Sequence, residues 1–383
     1  MEDGHIFFAD AYNFGWWRAF LGVYAGYLHA LPRIGADLAL LVPLMFAPLV
    51  INLIAIAVQA LPVNLLLSSR SVTWGSPSFR ALMVGIFLAL PNCWEIDANI
   101  NNSQWFLSLS AFLLLTARKP SSMGGRIFDF SLLLLCALTG PFCVFLLPIA
   151  AILLWQERDL RRWVQAGILA AGFIVQTTWS LLKVGSSGRP HYDLGANPVM
   201  FARVLAGQVY LGTLLGGIRQ GPHLSPGYMI GFIVIAIAGT ILVVICVQKS
   251  QLPMRLFLFF AFMVFAASLK SPTLGPPNGV PAWVTFASGA GNRYWFLPSL
   301  AFGWTLAWCY FERRFGLKAI SAVLLCIMCF ASALHWRYPA FQDQHFAEFA
   351  SAFEAAPSGT VVTIPEYPAG WTLTLVKHGL RPR

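Results

Sequence analysis

The chain has 383 residues, of which 58% are hydrophobic and only 10% are charged, so an ordinary soluble domain is excluded. Apolar runs recur along nearly its whole length, which predicts an all-α polytopic membrane protein with one membrane domain. The net charge of +10 comes from basic residues scattered over short loops, without a basic helix or an RNA-type motif, which argues against nucleic acid as a partner.

The chain opens with an acidic and aromatic segment, Glu2–Arg33, directly before the first long apolar run. As a helix, this segment places Asp3 and Asp10 on one face. Its apolar side consists of Phe7, Phe8, Ala11, Phe14, Trp17 and Phe20. Gly22 and Gly26 interrupt the pattern and Pro32 ends it. The segment therefore predicts two short amphipathic helices that lie on a membrane surface, with carboxylates at their start.

The apolar runs predict about ten transmembrane helices. They are Leu38–Val58, Ala81–Leu90, Gln104–Ala117, Phe128–Leu138, Phe142–Trp155, Trp163–Lys183, Gly227–Gln248, Met254–Leu269, Trp295–Phe311 and Lys318–His335. Several are shorter than the ~20 residues that a straight span needs. The short runs flank breaks at Pro91–Asn102 and Gly140–Pro141. Broken helices are tolerated where they line a cavity, so these breaks predict an internal, water-accessible site.

Basic residues predict the orientation of the chain. They place five short loops in the cytoplasm: Ser68–Arg80, Arg118–Arg126, Gln156–Arg162, Lys249–Arg255 and Glu312–Lys318. The outer loops are then long, acidic and aromatic: the first segment, Pro91–Trp105, Lys183–Pro226 and Ser271–Tyr294. Within Lys183–Pro226, the polar and glycine-rich stretch Val199–Gly216 is expected to form a re-entrant or surface helix.

The tail, Trp336–Arg383, is expected to pack back as a small outer cap. It has a helix-like stretch at Gln342–Ala355, a strand-like stretch at Thr360–Ile364 and a turn through Pro365 and Pro368. The predicted organisation is an outer amphipathic loop at 1–36, a transmembrane domain at 37–335 and an outer tail at 336–383.

With this layout the chain resembles the GT-C superfamily of polytopic glycosyltransferases, which take a sugar from a polyprenyl-phosphate carrier. The shared features are the acidic pair Glu2–Asp3, the amphipathic helices after it, the many short spans, and Arg293–Tyr294 followed by Pro298. The chain also resembles a set of uncharacterised bacterial membrane proteins. Their common motifs correspond to Glu2–Arg33, Asn99–Trp105, Leu138–Pro141, Arg293–Tyr294 and Ile364–Trp371.

The resemblance implies a fold, a location and a reaction. The fold is GT-C-like, the location is the bacterial inner membrane, and the partners are membrane lipid and a lipid-phosphate-linked sugar donor. The reaction is transfer of the sugar to an acceptor on the outer face. In that superfamily a membrane helix precedes the acidic pair, so an eleventh helix upstream of Met1 is expected. The alternatives are a transporter or flippase for a lipid-linked glycan, or a non-catalytic truncated relative.

The resemblance implies that Asp3 is the base that activates the acceptor hydroxyl group, with Glu2 or Asp10 as substitutes. In the alternative interpretation, Glu2 and Asp3 only stabilise the start of a surface helix. Arg293 is the candidate phosphate ligand because a guanidinium group offers paired donors, and Arg33 and Arg189 are second choices. Alternatively, Arg293 is an interfacial anchor beside Tyr294.

Amide and ring groups of the outer loop Pro91–Trp105 are candidates to bind sugar hydroxyl groups. They are Asn99, Asn101, Asn102, Gln104 and Trp105, and the alternative is a polar loop that caps the next helix. His29 is a candidate proton relay or a structural histidine beside Tyr27. No cofactor is expected. A divalent metal held by His5 and His191 with Asp3 or Asp10 is a further alternative, which their spacing does not support.

Overall fold

The computed structural model describes residues 2–182, 192–216, 225–273, 279–312, 315–335, 337, 340–367 and 369–379. These residues are mostly helical, with two small antiparallel hairpins, Val23–Tyr24 with Tyr27–Leu28 and Val361–Glu366 with Trp371–Val376. The helical segments are, in chain order, Asp3–Phe8, Ala9–Phe14, Trp16–Phe20, Ala30–Ala39, Leu44–Phe46, Ala47–Gln59, Leu61–Leu67, Ser69–Trp74, Pro77–Leu88, Gln104–Thr116, Met123–Ala137, Cys143–Glu157, Leu160–Leu182, Pro198–Val204, Leu205–Tyr210, Leu211–Leu215, Pro226–Lys249, Leu252–Lys270, Ala282–Ala287, Asn292–Trp295, Phe296–Phe311, Phe315–Leu334 and Phe346–Ala355.

The protein is a helical membrane protein. Five helices in the described part of the chain are long and apolar enough to cross a membrane: Leu44–Leu67, Pro198–Leu215, Pro226–Lys249, Leu252–Lys270 and Gly316–Leu334. Four of them coincide with predicted apolar runs. The other predicted runs are helical as well, and several of these helices, such as Pro77–Leu88 and Gln104–Thr116, are shorter.

Two short helices form the centre of the membrane domain. Every residue of Gln104–Thr116 is buried, as is nearly every residue of Phe296–Phe311. A helix that is apolar on all sides is expected in such a position. Several of their hydroxyl groups donate to the backbone of their own helix, as Ser108 does to the Trp105 carbonyl oxygen at 2.8 Å. Six of the predicted site residues lie at or just before the amino-terminal ends of these two helices, so the core fixes their positions: Asn99, Asn102, Gln104, Trp105, Arg293 and Tyr294.

The stretch Val199–Gly216 lies inside the protein, so the surface helix, one of its two predicted forms, is wrong. It forms one continuous helical stretch, Pro198–Leu215, most of which is buried. The polar groups that suggested a surface position are paired internally: the Gln208 side chain donates to the Ala287 carbonyl at 3.1 Å, and Thr213 donates to Val209 at 2.6 Å. At Gly212 an added Cβ would lie 3.0 Å from the Asn92 amide, so glycine permits close packing there.

The first segment differs from the prediction in its second half. The first helical stretch ends at Gly15, whose φ is +83°, and not at Gly22. A short hairpin then turns at Ala25 and Gly26, both with positive φ, a backbone conformation that glycine adopts without strain. Pro32 does not end a helix. It lies in the first turn of Ala30–Ala39, where a missing backbone N–H leaves no helical hydrogen bond unmade.

The apolar side predicted for the first segment is only partly buried. Phe7, Phe8 and Ala11 are in the core, whereas Phe14 and Trp17 are exposed by 61% and 57%. The change of direction at Gly15 separates these two groups, so they no longer share one helical face. Helix Ala30–Ala39 continues past residue 36, the predicted end of the first region.

The tail packs against the first segment. The strand predicted at Thr360–Ile364 is observed as Val361–Glu366, but its partner, Trp371–Val376, was not predicted. The turn predicted at Pro365 is wrong, because Pro365 lies within the first strand opposite Thr372. Pro368, the other predicted turn residue, lies outside the described residues. The Asn13 side chain makes two hydrogen bonds to the backbone of the second strand. It donates to the Thr374 carbonyl oxygen and accepts from the Val376 N–H, each at 3.0 Å. The tail hairpin is therefore hydrogen-bonded to the helix Ala9–Phe14 of the first segment.

Candidate functional site

A cavity of about 150 Å³ lies where several distant parts of the chain meet. They include the first segment, the loop and helix start around residues 101–105, and the residues around Arg293. Most of the residues singled out in the sequence meet here. The lining consists of Glu2, Tyr24, Ala25, Tyr27, His29, Asn101, Asn102, Gln104, Trp105, Pro141, Phe142, Phe145, Val264, Ala267, Ser268, Ser271, Thr273, Arg293 and Tyr294.

Four buried polar atoms of this lining are unpaired. They are His29 Nδ1, Asn101 Oδ1, Gln104 Oε1 and Trp105 Nε1, and none of them has a hydrogen-bond partner within the described part of the chain. Their residues are exposed by 8% or less. Buried polar groups are ordinarily hydrogen-bonded, because an unpaired one loses its water without replacement. Four residues of one cavity lining carry such atoms, which makes this cavity the candidate site for a polar ligand.

His29 is held in one orientation by aromatic rings and one hydrogen bond. Its Nε2 atom donates to the Tyr24 carbonyl oxygen at 3.2 Å, and the rings of Tyr27, Tyr24 and Phe7 lie within 6 Å of its own. Burial lowers the pKa of His29 to about 3, so the ring is neutral at physiological pH. With the proton on Nε2, Nδ1 is a hydrogen-bond acceptor. Of the two predicted roles of His29, this environment favours the structural histidine beside Tyr27 over the proton relay.

Gln176 fixes the backbone before His29, and the sequence analysis did not identify it. Its side chain accepts from the Leu28 N–H at 2.8 Å and donates to the carbonyl oxygens of Ala137 and Gly140 at 3.3 and 3.2 Å. In the sequence, the signal for this role was a glutamine inside the apolar run Trp163–Lys183. Gln176 connects the first hairpin to the Leu138–Pro141 turn.

Arg293 lies at the cavity wall and is tied to two loops. Its guanidinium group is ion-paired with Glu95 and donates to the Thr273 carbonyl, and its backbone N–H donates to the same carboxylate at 3.0 Å. The Tyr294 hydroxyl accepts from the Thr273 N–H at 2.7 Å. Glu95 and Thr273, which the sequence analysis did not select, therefore set the position of Arg293.

The two carboxylates at the start of the chain are in different environments. Glu2 lines the cavity, whereas Asp3 does not. Asp3 accepts from the Asn101 backbone N–H at 3.2 Å and lines a second cavity, which Glu366 also lines. Burial raises the pKa of Asp3 to about 6. Glu2 thus lines the cavity near Arg293, which we call the main cavity, whereas Asp3, the first candidate for the base, lines the other one.

Other predicted site residues lie outside the lining. Asp10 and Arg33 form an ion pair with each other at 2.6 Å, and the Arg33 guanidinium group stacks on the Phe7 ring at 4.9 Å. Asn99 accepts from the backbone N–H of Asn102 at 3.1 Å, which is the loop-capping alternative. These contacts give all three residues a structural role in the first segment and its neighbouring loop.

Of the two histidines proposed for a metal, only His5 lies in the described part of the chain. His5 contacts the Thr372 carbonyl oxygen at 2.5 Å and the Trp371 ring in the tail. His191 and Arg189 lie outside the described residues. Within the described ranges, no group of three or more His, Cys, Asp or Glu side chains is placed to hold a metal ion.

Comparisons of the chain with protein-family models, with curated proteins and with solved structures gave no match. A function can therefore be inferred only from the chemistry of the cavity and from the sequence motifs that line it.

Proposed function

We propose that the protein is a GT-C-like glycosyltransferase with about ten transmembrane helices. It transfers a sugar from a lipid-phosphate donor to an acceptor on the outer face of a bacterial inner membrane. The observation that carries this proposal is that four residues with a buried, unpaired polar atom line one cavity together with Arg293 and Glu2. The fold assignment rests on the sequence motifs given above.

The unpaired atoms match the hydrogen-bonding character of a sugar. Each hydroxyl group both donates and accepts. Trp105 Nε1 offers a donor, while Asn101 Oδ1, Gln104 Oε1 and His29 Nδ1 offer acceptors. A sugar in the cavity would pair all four atoms. A site built to bond hydroxyl groups rejects analogues that lack them, because its own polar groups then stay buried and unpaired.

Arg293 and the apolar wall suit the rest of the donor. A guanidinium group binds phosphate oxygens with paired donors. Phe145, Val264 and Ala267 line the same cavity and belong to the membrane helices Cys143–Glu157 and Leu252–Lys270. A phosphate beside Arg293 would leave its lipid chain facing these apolar residues. Glu95 holds Arg293 in place before the phosphate arrives.

In the proposed reaction, Glu2 is the base. The acceptor hydroxyl oxygen bonds to the anomeric carbon of the sugar, and the bond from that carbon to the phosphate oxygen breaks. The hydroxyl proton passes to the Glu2 carboxylate. The lipid phosphate leaves with the bonding electrons, and Arg293 stabilises its added negative charge. Asp3 holds the Asn101 backbone and is in this proposal a positioning residue, in place of its predicted role as the base.

Two tryptophan variants test whether the unpaired atoms bind the sugar. Trp105→Phe removes one N–H in the cavity. Trp295→Phe removes an equally unpaired N–H that lies outside the cavity lining. In reconstituted vesicles, Trp105→Phe should weaken binding of a polyprenyl-phosphate sugar about tenfold, and Trp295→Phe should leave it unchanged. Equal effects of the two changes on donor binding would contradict the proposal. Movement of the donor across the bilayer without cleavage of its sugar–phosphate bond would favour the alternative function, a flippase.

Arg293→Lys tests the phosphate contact. It keeps the charge but loses the paired donors, so donor affinity should fall about tenfold or more. Arg18→Lys, at an exposed position of the first segment, is the matched control. Glu95→Gln separates binding from positioning, because it removes the restraint on Arg293 but keeps the guanidinium group. Retained affinity in Glu95→Gln supports the phosphate contact, whereas equal losses in both variants would assign Arg293 a structural role.

A further inference from the structure

Another cavity, of about 180 Å³, is lined by basic side chains and shares no lining residue with the candidate site or with the cavity beside Asp3. We call it the cationic notch. It lies between the start of helix Met123–Ala137 and the start of helix Leu160–Leu182. Its basic residues are Lys119, Arg126 and Arg161. Its apolar walls include Phe130, Leu160 and Val164.

The basic residues of the notch are in excess over the acidic ones. Asp129, which also lines it, is buried and accepts two hydrogen bonds from Arg70, at 2.8 and 2.5 Å. The nearby Glu157 is paired with Arg162 at 2.7 Å. Among the described residues, Lys119 and Arg126 have no ion-pair partner, and Arg161 lies 3.9 Å from the Asp129 carboxylate already held by Arg70. The notch therefore keeps an uncompensated positive charge.

The surroundings of the notch are apolar and aromatic. Leu160 is exposed by 79%, Ile127 by 57% and Trp163 by 62%. Exposed tryptophan and leucine beside basic residues at helix ends are typical of the boundary between lipid headgroups and hydrocarbon. The notch also belongs to two of the loops whose basic residues predict the cytoplasmic face.

We propose that the cationic notch binds the headgroup of an anionic phospholipid from the cytoplasmic leaflet. The phosphate lies between Lys119, Arg126 and Arg161, and the first part of an acyl chain lies along Leu160 and Val164. A free phosphate ion would use the basic residues alone. The apolar walls that continue onto exposed membrane-facing residues therefore favour the lipid. Basic pockets between membrane helices bind such headgroups by charge and by paired hydrogen bonds.

The test uses the full chain, purified and reconstituted in phosphatidylcholine vesicles with a small fraction of spin-labelled phosphatidylglycerol. The double variant Lys119→Gln with Arg126→Gln should weaken phosphatidylglycerol binding about tenfold or more. The control is Lys249→Gln with Lys318→Gln, which removes two exposed charges from other predicted cytoplasmic loops and should change binding little. Spin-labelled phosphatidylcholine should not bind preferentially to any of these proteins.

A third variant distinguishes a lipid from a free phosphate ion. Leu160→Ser removes part of the exposed apolar wall, so it should weaken phosphatidylglycerol binding but not binding of inorganic phosphate. Equal phosphatidylglycerol binding in the double variant and its control would overturn the proposal. Displacement of the lipid by millimolar inorganic phosphate, with no effect of Leu160→Ser, would also overturn it and leave a site for a phosphate ion.

Discussion

Glu2 and Asp3 are neighbours in the chain, yet only Glu2 lines the main cavity. Asp3 is held by the Asn101 N–H in a region that favours its neutral form. The ordinary pKa of an aspartate is close to 4, and burial raises that of Asp3 to about 6. At the scale of single residues, the cavity that each carboxyl group lines therefore decides which of the two can meet a substrate.

Asp3→Asn should stabilise the folded protein at neutral pH. Because the pKa of Asp3 is higher in the folded than in the unfolded state, ionisation opposes folding as the pH rises from about 4 to about 6. Asparagine removes this penalty. The free energy of unfolding should rise by on the order of 1–3 kcal/mol at about pH 8, and the gain should vanish below about pH 4.

Thermal unfolding in detergent at both pH values measures this effect, and Asp343→Asn, at an exposed tail position, is the control. A gain that is independent of pH would contradict the assignment to Asp3. Turnover gives a second readout: Glu2→Gln should abolish it, whereas Asp3→Asn should keep most of it. Loss of turnover in Asp3→Asn with Glu2→Gln active would return Asp3 to the role of base.

At the scale of elements, the packing of two helices positions the first hairpin. Helices Met123–Ala137 and Leu160–Leu182 approach closely at Gly172, where an added Cβ would lie 2.5 Å from the Ala137 Cβ. One turn further along, Gln176 binds the backbone of Leu28, next to His29. The absence of a side chain at Gly172 therefore brings Gln176 within reach of the hairpin.

Gly172→Ala should destabilise the protein although alanine favours helices more than glycine does. The added methyl group must displace Ala137, and overpacking of this kind costs about 1–3 kcal/mol. Gly167→Ala on the same helix is the control, because nothing lies within 4 Å of its added Cβ. That change should be neutral or stabilising. Unfolding of both variants in detergent gives the comparison, and equal stabilities would show that the two helices separate without cost.

At the scale of the whole molecule, the predicted outer and cytoplasmic loops gather into separate groups. Parts of the first segment, Pro91–Trp105 and Ser271–Tyr294 meet at the main cavity. Residues of the predicted cytoplasmic loops meet elsewhere. The Arg118 N–H donates to the Arg70 carbonyl oxygen and the Arg70 side chain donates to the Arg118 carbonyl oxygen, each at 2.9 Å. Thr73, Gln251 and Glu312, from three of these loops, line another cavity. This grouping agrees with a chain that keeps the two sets of loops on opposite faces.

Labelling of single cysteines tests which face is outside. Ser288 and Ser358 are exposed in the predicted outer regions, and Ser121 is exposed in a predicted cytoplasmic loop. In a variant with the exposed Cys326 and Cys329 replaced by serine, an impermeant reagent should label cysteines at 288 and 358 in intact cells. It should label position 121 only after the membrane is opened. The reverse pattern would invert the topology.

The sequence by itself determined the membrane class and the helical character of the chain. Runs of apolar residues must be helical in lipid, since every backbone polar group needs a partner there. It also predicted several residues that meet at the cavity, because amides and an Arg-Tyr pair stand out between apolar runs. These positions are Asn101, Asn102, Gln104, Trp105, Arg293 and Tyr294.

Only the tertiary structure decided which groups share a site and which are paired elsewhere. Asp10 and Arg33 look like site residues in the sequence, but they are 23 positions apart and become an ion pair only when the chain turns at Gly15 and at Ala25–Gly26. Gln176 is one polar residue in a long apolar run, and its role depends on the hairpin that packs against it. Such contacts depend on the paths of distant segments, which local periodicity and composition do not determine.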